Sequence, residues 1–534
     1  MNTRLSLLGI GLIALALSIS SWTPVVIIST HPDNINYYNR NPEIAIDGSG
    51  NSYVTWQSFD GSDNEVYWAK IEASGAPGTV QKISTHPDNI IYDDSLPQIA
   101  VDVSGNSYVT WRGSDGNDTE IYWVKVDTEG TPGIVQKVST HPDCTNYKDW
   151  RPQIAVDVSG NSYVTWYGSD GNDYDIYWVK VDKEGTPGIV QKVSTHPDNR
   201  GHHDYHPQIA IDTSGNSYVV WHGCDREGCW EEPGDLEVYW VKIDVEGTPG
   251  TVQKISTHTN SITVNTFDSI PQIAVDASGN SYIVWTGIYE GHYDICWVKV
   301  DASETLEIAQ RICTYRGSDC DDWNPQIEAD SSGYSYITWE SFDGSNWEIY
   351  WMRKDAEGMG GNIQNISTYL GSTLHHDRNP HIAADASGNS YVTWSSYNRG
   401  SGDQFDQRIC WVKIDVSGKP GRVQEISTRE EPRHFDRNSR IVVDTEGNSH
   451  VVWEGENESG NDHIFFTAHL PSPPSVQRML LALIVIIAIA SVVIVIRKKL
   501  EKDSLDSITK RLRPQHSESI HYLVESIFFI YSTA

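Results

Sequence analysis

One stretch governs what this chain can fold into: Pro97-Gln98-Ile99-Ala100-Val101-Asp102-Val103-Ser104-Gly105-Asn106-Ser107-Tyr108-Val109-Thr110-Trp111, which occurs eight times. The copies begin at Pro42, Pro97, Pro152, Pro207, Pro271, Pro325, Pro380 and, in degenerate form, Ser439. Successive starts lie 55, 55, 55, 64, 54, 55 and 59 residues apart. A period of about fifty residues with short strands inside it signals a propeller or solenoid, whose units bury their apolar faces on one another.

Each unit reads as four strands, a to d. In the second copy, Ile99 to Val101 is an apolar run too short for a helix. Asp102 to Asn106 is a turn, since Gly tolerates positive φ and Asp and Asn bond their own backbone. Ser107 to Trp111 and Ile121 to Asp127 are β-branched and aromatic, so both read as strands around a polar loop. After the turn Glu129 to Gly133, Ile134 to Thr140 makes the fourth. Four antiparallel strands repeated radially form a propeller blade.

The chain ends bear on closure. Thr23 to Asp33 matches Thr131 to Asp143 and so reads as a strand d ahead of the first strand a. The last copy stops after a strand c at His463 to Phe466, with no strand d of its own. The early strand would complete the last blade and remove two exposed edges. The expected fold is all-β: an eight-bladed β-propeller over residues 23–470, closed by an N-terminal strand, with an open solenoid as the alternative.

The flanks read as targeting segments. Residues 1–22 have a charged start at Arg4, an apolar core and Ser18-Ile19-Ser20 as a small-x-small site, as in a signal peptide; an uncleaved anchor is the alternative. After a linker at 471–478, residues 479–496 are apolar apart from Ser491, and at about 1.5 Å per residue they span about 27 Å, enough for a transmembrane helix. Arg497-Lys498-Lys499 follow, which places the propeller outside and a cytoplasmic tail, residues 497–534, inside. The expected location is the cell membrane, single-pass.

The net charge of −33 argues against a nucleic-acid partner and suits cations, basic partners or high salt. Of seven cysteines, Cys224 with Cys229 and Cys313 with Cys320 sit close enough in sequence for local disulfides, and none has zinc-site spacing. No metal site and no cofactor are expected, apart from a bound cation such as calcium; the acidic b–c loops lack calcium-loop spacing.

The unit PQIAVDxSGNSYVTW resembles the bacterial and archaeal β-propeller repeats of SBBP and NHL type, and sialidase-like propeller repeats that end in Trp and continue xxIYW. The resemblance covers roughly residues 24–470 and implies a propeller in a secreted or surface protein, without implying an activity. The sialidase Asp-box is absent in clean form, and no Tyr–Glu nucleophile pair is evident, so that chemistry is not carried over.

Position in the repeat sets radius. The strand-b Trp series from Trp56 to Trp453 and the strand-c series from Trp68 to Trp411 read as blade-to-blade packing. Three residues before each repeat start stand Asn39, Asp94, Asp149, Asp204, Asp268, Asp322, Asp377 and Asp436. They read as an acidic ring at a channel mouth or, alternatively, as carboxylates bonded to a strand-b hydroxyl or Trp N–H. One position on, the copies diverge: Arg40, Ser95, Trp150, Tyr205, Ser269, Trp323, Arg378 and Arg437. Closure makes Arg40, Arg378 and Arg437 neighbours, an expected site for the carboxylate of an acidic sugar, with Tyr205, Trp150 or Trp323 offering a stacking face. Inter-blade Arg–Asp pairing is the competing account. With no nucleophile–base pair or metal set, the residues favour an extracellular binding or adhesion module for acidic glycans or a protein partner; an enzyme acting on acidic polysaccharide and a structural envelope protein are the alternatives.

Overall fold

The computed structural model describes residues 20–471 apart from residues 31–37, 60, 86–92, 115, 117, 141–147, 170–172, 196–202, 225–234, 257–265, 290, 313–320, 369–374, 400–404, 428–434 and 458–459. Residues 1–19 and 479–496, expected as signal peptide and membrane span, lie outside the described residues, as does the tail. Among the described residues no helix is long and apolar enough to cross a membrane.

The described chain is all-β. The second repeat runs as strand a (Ser95–Val101), strand b (Ser107–Ser114), strand c (Thr119–Val126) and strand d (Gln136–Lys137), each antiparallel to the next. The same four-stranded meander recurs along the chain, and Trp22–Leu470 form one compact unit with a propeller-like fold. Strand d is shorter than the sequence suggests. Its ladder spans only Gln136 and Lys137, continued by one bond from Val138 N to Ile121 O, and Ile134 is 81% exposed. Pro132 and Gly133, just before it, suit a turn better than a ladder.

Strand a is longer than expected. It begins before the repeat's Pro, and its register shifts across that residue, between Ser95 and Gln98 in the second copy. The residue before the Pro, or before Ser439 in the last copy, is left-handed, with φ 54° at Leu96, 49° at Arg151 and 53° at Asn438. This is a β-bulge that carries the strand through a residue unable to donate a ladder bond.

The a–b turn explains its own sequence. Asp102 Oδ1 accepts the backbone N–H groups of Ser104 and Asn106, both at 2.9 Å, while Oδ2 accepts from Asn106 Nδ2 and the Tyr108 hydroxyl, both at 2.8 Å. Gly105 adopts φ +88°, and a Cβ there would meet the Tyr53 hydroxyl of the preceding repeat at 2.7 Å.

Adjacent repeats pack through the tryptophans. Trp68 Nε1 donates to Ser107 Oγ of the next repeat, and Trp123 Nε1 to Ser162 Oγ, both at 2.9 Å. Tyr53, Val66 and Trp68 of one repeat share a core with Val109, Trp111, Tyr122 and Val124 of the next. The first and last repeats meet in the same way: Ile28, Ile44, Val54 and Trp56 pack with Val452, Ile464 and Phe466. Val26 and Ile27 pair antiparallel with Phe466 and Phe465.

Cys224 is disulfide-bonded and buried; Cys229, Cys313 and Cys320 lie outside the described residues. Cys296 and Cys410 are buried thiols in strand c.

Candidate functional site

The Asp series does not form an open acidic ring. Asp94, Asp149, Asp204, Asp268 and Asp436 are 0% exposed, and Asp322 and Asp377 are 2% and 1% exposed. Each sits where strand a meets strand b, and its carboxylate turns into the blade. Trp111, Trp166, Trp221 and Trp285 donate Nε1 to Oδ1 of Asp94, Asp149, Asp204 and Asp268 at 2.9–3.0 Å. In the first repeat Asn39 accepts from Trp56 at 3.0 Å and passes its own Nδ2 to Asp462 O at 2.9 Å. In these five repeats the position is a hydrogen-bonded buried staple rather than a cation-attracting mouth, whereas Asp377 is equally buried with neither oxygen in hydrogen-bond geometry to a donor.

The next position faces a partner on strand b. The ladder places Arg40 opposite Gln57, Ser95 opposite Arg112, Trp150 opposite Tyr167, Tyr205 opposite His222, Trp323 opposite Glu340, Arg378 opposite Ser395 and Arg437 opposite Glu454. The three predicted arginines are already neutralised there. Arg40 donates Nε and Nη2 to Asp462 Oδ2, each at 3.2 Å. Arg437 donates Nε to Glu454 Oε2 at 2.9 Å and stands 3.5 Å from Asp462 Oδ1. Arg378 donates Nη2 to Glu340 Oε1 of the preceding repeat at 2.8 Å, and its guanidinium lies 4.2 Å from the Trp347 ring. These internal carboxylates take the bonds expected for an acidic ligand, so the three do not form the expected anion cluster.

The predicted aromatics fall into separate groups. Trp323 packs on Tyr293 with ring centroids 3.9 Å apart. Trp150 carries the Arg112 guanidinium 3.7 Å above its ring. Tyr205 lies 5.4 Å from Tyr167, 5.2 Å from Tyr174 and 6.2 Å from His222, and burial raises its phenol pKa. His206 stacks on His222 at 4.9 Å. Burial, followed by the Arg151 charge, pushes His206 down to about 4; His222 is pushed down to about 3 by burial and by His206 and Arg151. Both imidazoles are therefore neutral at pH 7.

Beside this group is a cavity of about 320 Å³ whose walls come from the residues on either side of the repeat's Pro. Gln98, Gln153 and Gln208 contribute amides, Glu43 and Arg440 a charged pair at 3.0 Å, and Arg151 a second guanidinium. Among the described residues no group of three or more His, Cys, Asp or Glu is placed to hold a metal. Sequence reading missed Arg112, Arg151, Glu43 and Arg440. The available signal was divergence: the residue after the strand-b Trp is Gln57, Arg112, Tyr167, His222, Thr286, Glu340, Ser395 and Glu454 in successive copies.

No protein-family model matches the chain, and no curated protein sequence matches it. Solved structures with some similarity to the chain include a sialidase, a polysaccharide lyase and an endo-arabinase. The NanB sialidase from Streptococcus pneumoniae is 10% identical with a TM-score of 0.35, covering 84% of this chain and 71% of its own. The polysaccharide lyase Uly1 is 8% identical with a TM-score of 0.41, covering 83% and 94%. The endo-arabinase from Bacteroides thetaiotaomicron is 16% identical with a TM-score of 0.29, covering 52% and 95%. A likeness of this degree fixes neither ligand nor activity.

Proposed function

We propose that residues 23–470 form a closed eight-bladed propeller that acts as an extracellular saccharide-binding module, held on the cell surface by a membrane helix at 479–496 with residues 497–534 in the cytoplasm. The observation that carries the binding reading is the half-buried aromatic series Trp150, Tyr205 and Trp323. These residues occupy one repeat position, where the copies diverge, and Tyr205 is one residue from the polar cavity lined by His206. Aromatic faces beside amides and guanidinium groups match the alternating apolar and hydroxyl faces of a sugar ring. Eight-fold closure is supported by the pairing of Val26–Ile27 with Phe465–Phe466. Binding is favoured over turnover because Glu340, Glu454 and Asp462 are each engaged by an arginine.

The test is a glycan-array screen of the full-length chain, with products monitored in parallel. Selective retention of saccharides, weakened by Tyr205→Ala, is the expected result; no retention on any glycan overturns the reading, and turnover replaces it with an enzyme. Protease added to intact cells is expected to remove the propeller and spare the tail; a protected propeller overturns the topology.

A further inference from the structure

Four arginines near the repeat starts are each matched to a carboxylate: Arg40 to Asp462, Arg378 to Glu340, Arg437 to Glu454 and Arg440 to Glu43. Arg112 and Arg151 are not. Among the described residues neither has a carboxylate within ion-pair distance, in a chain whose net charge is −33. Their nearest polar contacts are neutral. Arg112 Nη1 reaches only Ser95 Oγ, at a long 3.5 Å, and its Nε is buried with no hydrogen-bond acceptor. Arg151 Nη1 lies 3.2 Å from His206 Nδ1, and Arg151 itself is exposed. Asp93 exerts some pull on Arg112, yet its Oδ1 accepts from Asn64 N and Nδ2 at 3.1 and 2.8 Å.

Both arginines lie near Trp150 and Tyr167. Arg112 stacks on Trp150, Arg151 is the next residue in the chain, and the charges of both act on Tyr167, the ladder partner of Trp150. A buried guanidinium nitrogen without an acceptor costs free energy that an incoming anion would recover. Stacking on Trp150 fixes the Arg112 plane, and with it the direction of the planar fork that suits a planar or tetrahedral oxyanion.

We propose that Arg112 and Arg151 form an oxyanion site that takes the carboxylate or sulfate of an acidic saccharide, with the sugar ring held against Tyr205 and its aromatic neighbours. The assignment rests on the saccharide reading above and moves the charged subsite from the first, seventh and eighth repeats to the second and third.

Calorimetry on the full-length chain tests it with three probes: tetragalacturonate, neutral galactotetraose and inorganic sulfate. The expected result is that tetragalacturonate binds at least about tenfold more tightly than galactotetraose at low salt, and that Arg112→Gln or Arg151→Gln each removes about tenfold from tetragalacturonate affinity and less from galactotetraose affinity. Melting temperature verifies that each variant folds, and Arg112→Lys, which keeps charge but not the planar fork, should recover only part of the loss. Equal affinity for the acidic and neutral sugars, or unchanged tetragalacturonate affinity in both glutamine variants, overturns the site while leaving saccharide binding intact. Failure of both sugars overturns the oxyanion site as assigned, while the glycan array decides the saccharide reading separately. Sulfate binding through these arginines as tightly as tetragalacturonate overturns the saccharide assignment.

Discussion

Glu454 in the last repeat accepts the backbone N–H of Asn41 in the first, at 2.6 Å, just as Glu340 accepts that of Asn379 in its following repeat at 2.7 Å. Gln57 and His222 make the same contact to Leu96 N and Ile270 N, at 3.1 and 3.2 Å. The last repeat and the first thus share a contact of the kind made between consecutive repeats. Glu454 also accepts from Asn438 Nδ2 and Arg437 Nε, so Glu454→Ala strands three donors. The expected cost is about 2–4 kcal/mol, discounted for the partial exposure of Arg437. Denaturant titration measures it, and Glu454→Gln should lose less because Oε1 keeps its two donors. An alanine variant as stable as the native chain would show that this seam bears no stability.

The buried Asp staple predicts a specific tolerance. Asp94 Oδ1 accepts from Trp111, but Asn39 does the same work for Trp56 in the first repeat with an amide oxygen. Asp94→Asn is therefore expected to change stability by less than about 1 kcal/mol, whereas Asp94→Ala leaves a buried indole N–H unpaired and costs about 1–3 kcal/mol. Equal losses in both variants would mean that the charge, not the acceptor, matters there.

Much of the fold was legible because the repeat states it eight times. The strand order, the a–b turn and the packing tryptophans each follow from residue type at a fixed offset. The site was less legible for a physical reason. Sequence places Arg378 one residue from Asp377, but not opposite Glu340 of another repeat, and that cross-repeat contact consumes its charge. The bulge before each Pro was also hidden. Leu96 and Ile270 give no hint of φ near 54°, a value that Asn41, Asn324, Asn379 and Asn438 accept readily. Arg112 was hidden twice, once by its place after an invariant Trp and once because its partner, Trp150, belongs to the next repeat.

Asp377 should make stability depend on pH. Neither of its oxygens has a donor in hydrogen-bond geometry, and burial pushes its carboxyl from 3.8 up to about 7, with Ser396, Trp394 and Ser367 opposing the rise and Glu348 adding to it. A raised carboxyl pKa means that the folded state holds a proton which the unfolded chain has released between roughly pH 4 and pH 7. The contribution is thus favourable at low pH and is lost as pH rises through that window. Asp377→Asn stays neutral, so it should be more stable than the native chain at pH 8, by on the order of 4 kcal/mol, and nearly matched at pH 4. Parallel stability–pH curves for the two proteins would show that Asp377 is ionised throughout.

The strained bulge offers a stabilising substitution. Ile270 holds φ at +54°, a region where a β-branched side chain crowds its own backbone, at a cost on the order of 1–2 kcal/mol. Asparagine occupies the same position in four other repeats, and in three of them its Nδ2 donates to the strand-b residue sixteen positions on: Asn41 to Gln57 at 2.9 Å, Asn324 to Glu340 at 2.9 Å and Asn438 to Glu454 at 3.1 Å. The residue sixteen beyond Ile270 is Thr286, whose buried Oγ1 has no hydrogen-bond partner. Ile270→Asn would both relax the backbone and supply that hydroxyl with a donor. Against this stands the loss of a half-buried isoleucine side chain, worth up to about 1.5 kcal/mol at this degree of burial. The balance is a gain of about 1 kcal/mol, read as a raised denaturation midpoint with an unchanged slope. Ile270→Gly separates the two effects: it relieves the backbone without a donor and should fall below Ile270→Asn. A midpoint for Ile270→Asn below the native value would mean that the isoleucine packing outweighs the strain and the unmet hydroxyl together.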